Sequence, residues 1–157
     1  MENNCDCKKS ILSSEGFGIS NGVSTILALL AGFYATKTTK LSVIGALLSL
    51  LLTDPLNDSY SIYISLKHAN PEQAFQKFKG TFLTQLGIQS IFIIIVFFTP
   101  SILLAFIISS IIGLSMVLYD YNKRLKTKTE VLKEMSKIMG LILLTFLVNS
   151  IFYRYYK

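Results

Sequence analysis

Leu50-Leu51-Leu52-Thr53-Asp54-Pro55-Leu56-Asn57-Asp58-Ser59-Tyr60 sets two carboxylates, an amide and a proline in the middle of an apolar run from Leu41 to Lys67. A run of that length suffices to cross a bilayer. An ionisable side chain at such depth costs roughly 2.5–3.5 kcal/mol on insertion scales and by default marks a functional site. Pro55 lacks an amide hydrogen and disfavours helical backbone at Asp54. The run therefore reads as a helix broken at Asp54-Pro55, with Thr53 or Asp54 capping its second half. In that half, Asp54, Asn57, Asp58 and Ser61 fall at i, i+3, i+4 and i+7 and share one face. Broken membrane helices with polar residues at the break build ion sites in transporters. Several oxygens and two negative charges on one face predict a cation site. The same residues also admit a purely structural reading. Asp54 would then cap a helix end, and Asp58 would be held by the helix dipole or by a lysine from another segment.

Working outward, the whole chain has this character. Of 157 residues, 52% are hydrophobic and 15% charged, too apolar for an ordinary soluble domain. The apolar residues come in membrane-length blocks, which predicts an all-α integral membrane protein with five transmembrane helices. The spans fall at about 16–36, 41–67, 80–98, 102–119 and 135–153, behind an N-terminal tail over 1–15. The apolar segment after Lys8 and Lys9 is longer than a signal-peptide core and is expected to be retained as the first span. That span carries Gly16, Gly18, Gly22, Ala28, Ala31 and Gly32, small residues that let membrane helices approach closely. Asn21 within it reads either as an interhelical hydrogen-bonding group or as a carbonyl ligand to an ion. Gln85 and Gln89 in the third span are i, i+4 neighbours on one face, expected to point inward. Lys67 to Lys79 reads as an interfacial stretch with a helix start at Asn70-Pro71, and Asp120 to Ser136 as a charged loop.

The net charge of +6 comes from basic residues between the apolar blocks. No basic face interleaved with aromatics is visible, so nucleic acid is not an expected partner. With five spans, every Lys and Arg except Lys37, Lys40, Arg154 and Lys157 falls on the side of the N-terminus. The positive-inside rule then makes the N-terminus cytosolic and the C-terminus non-cytosolic. Cys5 and Cys7, the only cysteines, are spaced for neither a zinc nor a redox motif and read as free thiols. His68, the only histidine, reads as solvated in a polar turn.

Phe17-Gly18-Ile19-Ser20-Asn21-Gly22-Val23-Ser24-Thr25 followed by Ala31-Gly32, with Ser61-Ile62-Tyr63-Ile64-Ser65 in the second span, resembles the vacuolar iron transporter family. The resemblance covers the topology, and its motif support is about ten residues. It implies a homodimer with the ion path between the first and second spans, exchanging Fe2+ or Mn2+ for protons, with no permanently bound cofactor. The chain departs from the family in three ways. Asn21 stands at the family's first-span aspartate, and Ile62 at its second-span glutamate. The cytosolic metal-binding domain between the second and third spans is reduced to a short loop around Asn70-Pro71-Glu72. In this alignment Asp58 occupies the family's metal-binding methionine position. Asp54 and Asp58, with Asn57, Asn21 and Ser61, thus form the candidate metal set, and all-oxygen ligands favour hard cations such as magnesium, calcium or manganese while tolerating ferrous iron. The alternative is a membrane scaffold or assembly protein that keeps the fold without the metal chemistry. An enzyme is not expected. Tyr119-Asp120 lacks the Gly-x-Gly-Asp partner of intramembrane aspartyl proteases, and no Ser/His or Cys/His pair lies in the spans.

Overall fold

Three short polar connections, at residues 36–39, 68–70 and 99–101, divide the apolar chain into consecutive antiparallel helices. The computed structural model describes residues 3–124 and 128–155. Its helices are α1 (Asn3–Ala35), α2 (Lys40–Lys67), α3 (Pro71–Phe98), α4 (Ile102–Arg124) and α5 (Lys128–Tyr155). All five are long and apolar enough to cross a membrane, and no strand occurs among the described residues. The side chains of Cys5 and Cys7 lie outside the described ones, as do residues 125–127 of the expected charged loop.

The helix signals are local. Thr39 caps α2, its hydroxyl accepting from the Ser42 N–H. Asn70 caps α3 by accepting from the Gln73 N–H at 3.1 Å, and Pro71 supplies the pre-set φ of a first helical residue. The basic aromatic stretch before Gly80 therefore continues into the third span as one helix. The α1–α2 turn reverses through Lys37, whose φ of 53° lies in the left-handed region.

The expected break in the second helix is absent. The segment Lys40–Lys67 is helical throughout, with Pro55 inside it and buried. Pro55 removes the amide donor that would serve the Leu51 carbonyl, a loss membrane helices tolerate where neighbouring helices and hydroxyls satisfy the backbone locally. Hydroxyls on both sides of the proline donate to the helix backbone, Thr53 Oγ1 to the Ser49 carbonyl at 2.9 Å and Ser59 Oγ to the Pro55 carbonyl at 2.5 Å, though neither reaches the Leu51 carbonyl. Asp54 is thus a mid-helix side chain and not a cap.

α1 is the hub and packs against all four other helices, while α2 leans on α3 and meets α1 over a small area. The core, formed by residues such as Val23, Leu27, Leu30, Ile88, Phe92 and Val117, lies at the junction of α1, α3 and α4. Small residues set the spacing. A Cβ on Gly18 would come within 3.0 Å of the Thr81 carbonyl oxygen, and one on Gly22 within 3.3 Å of Gln85 Cγ. α1 and α3 are therefore close enough for a short asparagine to reach across.

The distribution of polarity suits a lipid surround. Gln85 is fully buried whereas Phe98 is 78% exposed, and leucine, isoleucine and phenylalanine dominate the outside. Burying amides while exposing apolar side chains would be unfavourable in water and is the expected order in a bilayer. The helix ends lie at two levels. At one, Lys40 Nζ donates to the Phe97 carbonyl at 2.8 Å and Lys37 stands over the Tyr153 ring. At the other, Lys67 and Lys79 stand over Tyr63 and Phe75, beside the stacked Phe78 and Phe82, an arrangement typical of interfacial belts.

Candidate functional site

Asp54 lies fourteen residues after the start of α2 and thirteen before its end, and Gln85 has the same place in α3. At 1.5 Å per residue each is about 20 Å from either helix end. The two helices are antiparallel, so these side chains meet midway along their length.

There they form one hydrogen-bonded cluster. Gln85 Nε2 donates to Asp54 Oδ2 at 2.8 Å and to Asp58 Oδ2 at 2.9 Å. Gln89 Nε2, one turn further along α3, donates to the same Asp54 oxygen at 2.6 Å. From α1, Asn21 Nδ2 donates to Asp58 Oδ2. Two carboxylates separated by one helical turn are thereby brought to a single amide. Among the described residues their partners are all neutral amides, and no lysine, arginine or histidine pairs with either. The second possibility raised by the sequence, a lysine holding Asp58, is not what the structure contains. The side-chain carbonyls Gln85 Oε1 and Gln89 Oε1 are buried and accept no hydrogen bond. Unsatisfied buried acceptors are uncommon in folded proteins, and each calls for an explanation.

Of the five residues expected at the site, three come together: Asp54, Asp58 and Asn21. Asn57 and Ser61 do not join them. Both are exposed, and the Ser61 hydroxyl donates to the Asn57 backbone carbonyl at 2.8 Å. The reason is the line along which α2 meets α3, traced by Val43, Leu47, Pro55 and Ser59. Asn57, two residues beyond Pro55 and hence about 200° round the helix, faces away from it. Gln85 and Gln89 were legible as an inward face, but not as partners of the acids. No group of three or more His, Cys, Asp or Glu capable of holding a metal occurs among the described residues. Any ion held here would rest on two carboxylates supplemented by amides.

Asn21 also lines a second feature, a groove of about 530 Å³ between α1 and α5. Ser24, Thr25, Thr36 and Thr38 line one wall, and Thr145 and Asn149 the other. Thr145 and Asn149 are i, i+4 polar residues in the mostly apolar half of α5 after Lys137, a spacing that could have marked them in the sequence. Gly32 keeps the groove open at Asn149, since a Cβ there would come within 3.1 Å of Asn149 Nδ2. The groove extends from the level of the acids toward the α1–α2 turn.

No family model, curated protein or solved structure matches this chain.

Proposed function

We propose that this chain is a multi-pass membrane carrier of divalent metal cations, of the Fe2+ or Mn2+ kind, that exchanges them for protons. Asp54 and Asp58 are the binding pair, and Asn21 positions Asp58. One observation carries the reading: two mid-depth carboxylates meet at one amide with no cationic side chain among the described residues to balance them. An uncompensated pair of that kind is costly in a low-dielectric setting and draws in a positive charge, whether a metal ion or a proton. A carboxylate able to take either is the minimum equipment for exchange. The polar groove between α1 and α5 supports an approach from the end bearing Thr36 and Thr38.

The test is flux. Reconstituted in liposomes containing a metal-sensitive dye, the protein is expected to pass Fe2+ or Mn2+ faster than empty liposomes do, and faster still with an opposing proton gradient. A folded, inserted protein that passes neither ion, nor calcium, under any gradient would instead be the scaffold that the sequence also allows.

In this reading the N-terminus is cytosolic and the C-terminus non-cytosolic, supported by the excess of lysine and arginine in the tail and loops on the N-terminal side. Epitope tags at the two ends should be cleaved from opposite sides of sealed vesicles. Cleavage of both from one side would refute the orientation.

The carrier pairs with a second copy of itself, as the resemblance to vacuolar iron transporters implies. Gly45, Ser49, Thr53 and Asn57 recur every four residues on the exposed face of α2, and small residues at that spacing favour close helix association. An Asn57→Cys chain in native membranes should form a disulfide-linked dimer under mild oxidation. Leu104→Cys, on the exposed face of α4, serves as the control, and equal yields from both would count against this face.

A further inference from the structure

We infer that Gln85 and Gln89 of α3 are themselves cation ligands, whose side-chain carbonyls turn toward a hard, oxygen-preferring divalent ion as it displaces their N–H groups from Asp54 and Asp58. This assignment rests on the proposed cation reading and extends the site to a third helix.

Three observations carry it. Both glutamines are essentially fully buried, at 0% and 1% exposure. The Nε2 atom of each is committed to a carboxylate, two bonds for Gln85 and one for Gln89. The Oε1 of each, on the same planar amide, accepts nothing. Two orphaned acceptors one turn apart, both attached to groups already touching the acids, form half of a ligand set.

The geometry of an amide supplies the rest. Its oxygen and nitrogen exchange places by a half-turn about the last side-chain bond. With no ion present, the N–H groups face the carboxylates and spread their negative charge. With an ion between the carboxylates, those N–H groups would point at a positive centre, and rotation presents the oxygens to it instead. Carboxylate and amide oxygens are the ligands of calcium, manganese and magnesium, whereas thiolate and thioether sulfur select softer ions. No sulfur takes part in this cluster. Calcium and manganese are the ions that such an all-oxygen set suits.

The experiment measures the thermal midpoint of the purified full chain in detergent while MnCl2 or CaCl2 is titrated, since an ion that binds the folded state raises the midpoint. Gln85→Met and Gln89→Met remove oxygen and N–H together at similar volume. Gln85→Glu and Gln89→Glu keep an oxygen and, when ionised as they would be around a bound dication, donate nothing. If the glutamines are ligands, each methionine variant weakens the apparent ion affinity by about tenfold or more, and each glutamate variant binds at least as tightly as the natural chain. If the glutamate variants lose the ion as the methionine variants do, the amides act only as donors that hold the acids, and the assignment is overturned. Methionine variants that bind like the natural chain overturn it as well, leaving the carboxylate site intact. Where a methionine variant does not fold, the paired glutamate variant decides alone by the same criterion. A natural chain whose midpoint responds to no divalent ion refutes the cation reading itself, together with this extension of it.

Discussion

Asp54→Asn and Asp58→Asn, singly and together, are expected to abolish divalent cation uptake while leaving the helices folded. At an effective dielectric of about 20, unit charges about 4 Å apart interact by about 4 kcal/mol. Loss of one carboxylate from a bound dication therefore weakens binding by about a hundredfold or more. Stability should move the other way or not at all. Asparagine retains an oxygen to accept from Gln85 or Gln89, while one member of a like-charged pair disappears. Buried ionic groups often cost more in desolvation than they return in attraction, and neutral replacements are frequently tolerated. Uptake in proteoliposomes and the thermal midpoint in metal-free detergent are the two measurements. A double variant that transports at the natural rate would show the acids to be structural. One that unfolds would show that charge is needed for assembly.

The second large effect is expected at Gly113, where α4 meets α1 and α3. A Cβ there would stand 2.8 Å from Val23 Cγ1 and 3.1 Å from Phe92 Cζ, with Leu27 Cδ1 at 3.6 Å. Val23 and Phe92 are completely buried, and valine on a helix has a single favoured rotamer, so neither neighbour can move aside cheaply. Overpacking of this sort typically costs about 1–3 kcal/mol, and Gly113→Ala should lower the midpoint accordingly. Gly113→Leu should prevent α4 from seating at all. The clash identifies its own remedy. Val23→Ala, harmful alone because it opens a cavity, should recover part of the loss in the Gly113→Ala background, a coupling that a double-mutant cycle measures. Simple additivity of the two changes would mean that α4 does not approach α1 at this point. The junction also matters to the acids. Asn21 lies two residues before Val23 and Gln89 three before Phe92, so displacement of α4 would disturb two of the amides in the cluster.

Much of this was legible in the sequence, for identifiable reasons. Apolar length pointed to five helices, each long enough to cross a bilayer with its own backbone bonds satisfied. The i, i+4 spacing placed Asp54 and Asp58 on one face, and the same spacing paired Gln85 with Gln89. Two things were not legible. Pro55 reads as a break by local grammar, but packing of α2 along α3 keeps the helix continuous and buries the proline ring. Asn57 and Ser61 read as ligands by spacing alone, but the line of contact with α3 turns them outward. A periodic pattern determines which residues share a face. Which way that face looks depends on the neighbouring helix, and here that is α3, whose glutamines supply the amides the acids needed.

The narrow seam between α1 and α2 has a mechanical consequence. Among the described residues, the only side-chain hydrogen bond across it is the one from Asn21 to Asp58. α2 otherwise packs on α3, tied to it at one end by Lys40 and the Phe97 carbonyl. In the proposed carrier, an ion that captures Asp58 competes for the oxygen that ties α2 to α1. Cargo arrival in such a carrier and loss of this one tie between α1 and α2 would be a single event at Asp58 Oδ2, with α3 still packed on α1.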